Sequence, residues 1–204
     1  MTDARFMARW EVADVVGAVV AVDVIRAFTT AAYAFAAGAS HIFLVDSIAQ
    51  ALAVKAADPD VLAMGEDRGR RPPGFDFSNS PVAVAAADLG GRVLVQRTSA
   101  GTRGVVAARS ATRLWCASLV CASATAAAVR SSGLGAPTYA ALDLGGSVDG
   151  ADAAVAFGGS FVVVEAAVAF GGSLADVDAA SGFFTSSSSP LTDDLNSRIP
   201  RPND

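Results

Sequence analysis

Apolar and polar positions along the first 142 residues follow two alternating patterns. Short runs of β-branched apolar residues are each followed by a longer Ala-rich segment, as strands and helices in turn produce. The predicted strands are Val15–Asp23, Ile42–Val45, Val61–Met64, Arg92–Gln96, Arg113–Ala117 and Tyr139–Leu142. The predicted helices are Thr29–Ala37, Ser47–Ala57, Pro81–Ala87 and Leu119–Arg130, with Ser47 as an N-cap. Strands that are apolar at consecutive positions need cover on both faces, which predicts an α/β fold with a mostly parallel sheet.

The last part of the chain has a different composition. Residues 143–189 are mainly Ala, Val, Gly, Ser, Asp and Phe, and the heptapeptide AVAFGGS occurs twice, at 154–160 and 167–173. Two copies are too few for a solenoid, which needs at least three stacked units. We therefore predict an α/β core over residues 1–142 and an atypical C-terminal part over residues 143–204, which packs on the core and ends in an irregular tail.

Composition and charge narrow the classes of function. With 204 residues, 52% of them hydrophobic, the chain can build a sizeable core. A formal charge of -5 argues against nucleic acid as a partner. The early apolar run Val15–Val22 is too short for a membrane span, and two cysteines are too few for a disulfide framework. We expect a cytoplasmic protein with no membrane partner, and a homodimer stays open as its assembly.

The first candidate segment is VDVIRAFTT, where a strand ends at Asp23 and a helix begins near Thr29 and Thr30. Ligands of open α/β sheets bind beyond the carboxyl ends of the strands. A carboxylate there can hold a hard cation, and threonine hydroxyls with helix amides can bind an anion. The alternative is that these side chains only cap the helix.

The second candidate is the loop of residues 64–81, which combines acidic, basic, Gly and Pro residues. Its charged residues are Glu66, Asp67, Arg68, Arg70, Arg71 and Asp76. Long irregular loops in compact domains are usually functional, although a solvated hairpin with paired charges is the alternative.

The third candidate is QRTSAGTRG, residues 96–104, again directly after a predicted strand. Its small residues let the backbone approach a ligand, and its two guanidinium groups suit phosphate or sulfonate oxygens. The loop lacks the GK[ST] ending of a phosphate-binding P-loop. The single histidine, His41, and the cysteines Cys116 and Cys121 are interpreted as structural.

Taken in order, the segments VDVIRAFTT, MGE, GFDFSNSP, QRTSAGT and ASLVCASATA resemble the 2-phosphosulfolactate phosphatase family. The resemblance covers roughly residues 15–130 and is not evident after residue 142. It implies a three-layer α/β/α fold of two related halves. It also implies a magnesium-dependent enzyme that hydrolyses 2-phospho-3-sulfolactate to 3-sulfolactate and phosphate, a step on one route to coenzyme M. One departure is Cys121, at a position where many relatives carry Asn.

On this resemblance and the chemistry of the side chains, three groups of residues form the expected site. The expected Mg²⁺ ligands are Asp23, Glu66 and Asp76. These three side chains, with Arg26 and Arg97, form the expected catalytic set. The expected substrate-binding residues are Thr29, Thr30, Asn79, Ser80, Thr98, Ser99, Gly101 and Thr102.

The sequence is compatible with several alternatives for mechanism and function. Asp23 could attack phosphorus directly, or a carboxylate could orient an activated water. The substrate could be another small 2-phospho acid, since the arginine-rich loop suits several anions. A small-anion-binding module without catalytic activity is the non-enzymatic alternative.

Overall fold

The computed structural model describes residues 5–142 together with two short strands at 162–166 and 184–186. Both copies of the AVAFGGS repeat and the predicted C-terminal tail lie outside these residues. The strands are β1 (Arg5–Ala8), β2 (Ala18–Val22), β3 (His41–Val45), β4 (Leu62–Gly65), β5 (Phe77–Ser78), β6 (Val93–Arg97), β7 (Arg113–Ala117), β8 (Thr138–Ala141), β9 (Val162–Ala166) and β10 (Phe184–Ser186). The helices are α1 (Ala27–Ala36), α2 (Ile48–Ala57), α3 (Pro81–Ala85), α4 (Gly101–Ala107) and α5 (Ala122–Ser131).

The strands form two sheets, each with four parallel strands. The first sheet has the order β1-β8-β2-β7, and the second has the order β10-β9-β3-β6-β4-β5. In the second sheet β9 runs antiparallel to β3, and β10 runs antiparallel to β9. The predicted α/β class with mostly parallel strands is confirmed, and the structure divides these strands between two sheets.

Helices cover both faces of each sheet, which explains why the strands are apolar at consecutive positions. On β2, Val19 and Ala21 face one core cluster, while Ala18 and Val20 face another. The first of these clusters also takes in residues of β3, β4 and β6 and of helices α1, α3 and α4. The helix α2 packs on the other face of the second sheet, and α5 packs on the other face of the first. Each sheet therefore has the helix–sheet–helix layering of a three-layer α/β/α fold, and the two sheets share one helix layer.

Most predicted elements lie within a few residues of the observed ones. The strand Arg113–Ala117 has the predicted bounds, and Ser47 caps α2 by accepting a hydrogen bond from the Gln50 amide. Five elements, β1, β5, β9, β10 and α4, were not predicted. Among the described helices, none is both long and apolar enough to cross a bilayer.

Candidate active site

The loop between β6 and α4 is fixed by two threonines that bond each other's backbone. The Thr98 amide donates to Thr102 Oγ1 at 2.8 Å, and the Thr102 amide donates to Thr98 Oγ1 at 3.0 Å. Both side chains are buried. Their hydroxyls were expected to bind substrate, and in the structure their hydrogen bonds shape the loop.

Glu66 follows β4 and ties this loop to the loop after its own strand. Its Oε1 accepts from the Ser99 amide at 2.6 Å, and its Oε2 accepts from Ser99 Oγ at 3.1 Å and from the Gly69 amide at 2.7 Å. Donors from two loops thus converge on one carboxylate, which is only 9% exposed.

Asp23 reaches the same loop from the other sheet. It follows β2, is 3% exposed, and its Oδ1 accepts from the Ala27 amide at 3.2 Å. A Cβ added to Gly101 would lie 2.8 Å from Asp23 Oδ2 and 2.5 Å from Ala27 Cβ. The glycine therefore permits a close approach between the start of α4 and the Asp23 carboxylate. The structure brings Asp23 and Glu66, from different sheets, against one short loop.

Arg97, at the end of β6, is a brace between strand ends. Its Nη1 donates to the Glu66 carbonyl at 2.9 Å and to Asp67 Oδ1 at 2.8 Å, while Nε donates to the Asp46 carbonyl at 3.4 Å. The side chain was expected to bind an anionic group of the substrate. Its Nη1 and Nε atoms bond the backbone carbonyls that directly follow β3 and β4.

Asp76 does not join Asp23 and Glu66. Both of its carboxylate oxygens lie 2.6 Å from Lys55 Nζ, and Oδ2 also accepts from the Ala63 amide at 2.7 Å. The residue precedes β5 and lies beside the middle of β4, so it is remote from the carboxyl ends of the strands. Across residues 5–142, no three His, Cys, Asp or Glu side chains are grouped so that they could hold a metal ion. The expected three-carboxylate magnesium site is therefore wrong for this part of the chain.

The other expected site residues fall into exposed, buried and capping positions. Arg26 is exposed at the N-cap of α1, and Thr29 is half-buried in that helix. Thr30 and Asn79 are buried, and Thr30 Oγ1 and Asn79 Oδ1 have no hydrogen-bond partner within the described part. Ser80 caps α3 by accepting from the Ala83 amide. Ser80 therefore has a structural contact where substrate binding was expected.

The sequence did not single out Gln96, and it indicated Arg68 only as one of the charged residues of its loop. Gln96 is fully buried in β6, and its Nε2 donates to the Ala27 carbonyl at 2.9 Å. Arg68 has a left-handed backbone with φ of 49°, and its amide donates to Ser99 Oγ at 3.1 Å. An amide side chain inside the apolar run VLVQR was a sequence signal for Gln96. Nothing local pointed to the Arg68 contact, which joins residues far apart in the chain.

The two cysteines are free and lie in the core near Asp23. Burial raises the pKa of the Cys116 thiol well above its ordinary value, and nearby Cys121 and Asp23 raise it further. Cys121 Sγ accepts from the Ser118 amide at 3.3 Å and so helps to begin the helical turn Leu119–Cys121. At this position, where many relatives carry Asn, the Cys121 sulfur therefore makes the contact that begins the helix.

Comparison with known proteins points to one family. The family model described as 2-phosphosulpholactate phosphatase matches residues 6–134. The chain is 45% identical over 113 residues to a probable 2-phosphosulfolactate phosphatase of Thermus thermophilus, covering 55% of this chain and 47% of the relative. It is 40% identical over 96 residues to the protein of that name in Bacillus subtilis, covering 47% of this chain and 42% of the relative.

A third relative, from a Synechococcus species and of the same name, is 44% identical over 111 residues, covering 53% of this chain and 45% of the relative. The chain thus spans about half the length of the curated relatives it matches. The matched region contains β2, β4 and β6 with the loops that follow them, and so all the residues placed around the β6–α4 loop. Because the family model matches more than half of the chain, the chain belongs to the 2-phosphosulpholactate phosphatase family.

Proposed function

We propose that this protein is a phosphoric monoester hydrolase that converts 2-phospho-3-sulfolactate and water to 3-sulfolactate and phosphate, the reaction used on one route to coenzyme M. The observation that carries the proposal is the meeting of Asp23 and Glu66, from two different sheets, at the β6–α4 loop. The names of the relatives support the choice of substrate.

The chain's own residues divide into a reactive group and its supports. Asp23 is the buried carboxylate in contact with the loop, and it either attacks phosphorus or orients the attacking water. Glu66 keeps the β6–α4 loop in one conformation through the Ser99 amide and hydroxyl. Arg97 fixes the Glu66 backbone. In the overall reaction the bond between phosphorus and the ester oxygen breaks, and that oxygen takes up a proton to become the hydroxyl of sulfolactate.

We propose Mg²⁺ as the cofactor, held by Asp23 and Glu66. Magnesium is commonly bound through one or two carboxylates, with waters and substrate phosphate completing its coordination. Two carboxylates against one loop fit that donor set, and Asp76 is not required for it. When bound, the ion would neutralise negative charge on the phosphoryl group.

The guanidinium groups available to the anionic ends of the substrate are the exposed ones. Arg26, Arg68, Arg70 and Arg103 are exposed, while Arg97 is engaged in the brace. The Arg68 backbone is bonded to Ser99, so this turn lies close to the proposed site. An exposed guanidinium group there would bind a carboxylate or sulfonate in preference to an uncharged group.

The test is phosphate release from phosphosulfolactate, with Mg²⁺ and with EDTA, beside a panel of other phosphorylated hydroxy acids. We expect magnesium-dependent turnover that is fastest with phosphosulfolactate. Faster turnover of another 2-phospho acid would change the substrate but keep the reaction. Binding in calorimetry without any phosphate release would refute the enzyme assignment and favour an anion-binding module.

Asp23→Asn tests the residue at the centre of the proposal. We expect a loss of turnover of about 10²-fold or more, in the range for removing a group that acts on the reacting atoms. Asp88→Asn is the matched control, because Asp88 is exposed in the loop after α3, where its Oδ1 accepts from the Gly90 amide. Equal activity of the two variants would remove Asp23 from the reaction.

A further inference from the structure

The fully buried side chain of Gln96 connects the second sheet to the backbone that holds Asp23. Its Nε2 donates to the Ala27 carbonyl at 2.9 Å. The amide of the same Ala27 donates to Asp23 Oδ1 at 3.2 Å. Both contacts are buried, so Gln96 and the Asp23 carboxylate lie on either side of one α1 residue.

Ala27 is confined from a third direction by the β6–α4 loop. A Cβ on Gly101 would come within 2.5 Å of Ala27 Cβ, so the methyl group is already in close contact with the start of α4. Its carbonyl, its amide and its methyl group are thus each in contact with a different segment of the chain. Small displacements of Ala27 would therefore be transmitted to Asp23.

Packing alone does not call for an amide at position 96. The Gln96 side chain is 0% exposed, and its Oε1 has no hydrogen-bond partner in the described residues. A buried acceptor without a partner lowers stability relative to an apolar group of the same shape. The Nε2 contact with Ala27 is what an apolar side chain could not provide.

We propose that Gln96 is a positioning residue, which sets the place of Asp23 through Ala27. This inference rests on the proposed function of Asp23, because it assigns Gln96 to the same site. Gln96 acts through another group and makes no contact with the substrate.

The test compares two variants at position 96. Gln96→Met keeps the length of the side chain and removes the amide, and Gln96→Glu keeps the shape and removes the donor. Gln50→Met, the same change on α2, is the matched control. Phosphate release gives kcat and KM, and amide hydrogen exchange by NMR reports on the Ala27 amide. We expect both Gln96 variants to lower kcat about 10-fold to 100-fold with KM unchanged and to speed Ala27 exchange.

The possible outcomes separate this inference from the proposed function. If the wild type is active and Gln96→Met has the same kcat, the positioning role is overturned. The role is also overturned if Gln96→Glu keeps the wild-type kcat while Gln96→Met loses it. If the wild type shows no turnover, the proposed function fails, and the Ala27 exchange rate then decides whether Gln96 fixes that residue. Should neither variant fold, a missing NOE between the Gln96 side-chain amide and Ala27 in the wild type would overturn the inference, and its presence would support it.

Discussion

Replacing Gly101 with alanine should disturb both the stability of the protein and the position of Asp23. The new Cβ would lie 2.5 Å from Ala27 Cβ, 2.8 Å from Asp23 Oδ2 and 3.1 Å from Thr98 Oγ1. Carbon atoms in contact normally lie about 3.5–4.0 Å apart, so the Ala27 methyl group must move by about 1 Å. That methyl group is attached directly to the backbone of α1 and cannot rotate away.

The size of the effect follows from two opposing terms. Overpacking of this kind costs about 1–3 kcal/mol. Alanine in place of glycine recovers up to about 1 kcal/mol, through its helix propensity and the lower entropy of the unfolded chain. We therefore expect the free energy of unfolding to fall by about 1–2 kcal/mol. Turnover should fall by about 10²-fold, since a displacement of 1 Å can cost that much.

Urea unfolding followed by circular dichroism measures the first quantity, and phosphate release measures the second. Gly90→Ala is the control, because its added Cβ would meet only Asp88 Oδ1, at 3.4 Å. The control should stay within about 0.5 kcal/mol of the wild type. If Gly101→Ala matched the control in both measurements, the close approach of α4 to Asp23 would be refuted.

Two further substitutions and the chemistry of one thiol test the assignments around the site. Asp76→Asn removes the ion pair with Lys55, in which the side chains are 27% (Lys55) and 30% (Asp76) exposed. We expect the free energy of unfolding, measured in urea, to fall by about 1 kcal/mol. A drop in magnesium affinity would instead return Asp76 to the metal site. Arg97→Lys keeps the charge but not the planar fork, so both stability and turnover should fall, and wild-type values for both would show that the brace is not needed. Because burial raises the pKa of Cys116, peptide mapping should find slow native alkylation of this thiol by iodoacetamide, and rapid labelling would contradict its burial. The unfolded chain loses this thiol proton at lower pH than the folded protein, so the associated stability should fall as pH rises past about 8.5.

Local patterns predicted most strands and helices but not their division between two sheets. Apolar runs such as Arg113–Ala117 and caps such as Ser47 are set by neighbouring residues, and both agree with the structure. The helix α4 was not predicted because its sequence GTRGVVA contains two glycines. The reciprocal Thr98–Thr102 bonds and packing hold it instead.

The meeting of Asp23 and Glu66 was predictable from their positions at the ends of strands. Asp23 and Glu66 each come directly after a parallel strand, and both lie at the β6–α4 loop. Asp76 was misassigned because it precedes β5 and bonds to Ala63, three residues before Glu66. At about 3.3 Å per residue, that places it about 10 Å along β4 from the site. Its partner Lys55 is distant in sequence, so no spacing rule reveals the pair.

The meeting of the two sheets at one loop has a consequence for how the proposed activity would be lost. Asp23 is carried by one sheet and Glu66 by the other, so their relative position depends on the helix layer that the sheets share. Mild denaturant that loosens this layer would separate the two acids while each sheet kept its own hydrogen bonds. Loss of phosphate release should then precede the loss of secondary structure, and it would report on the packing between the two sheets.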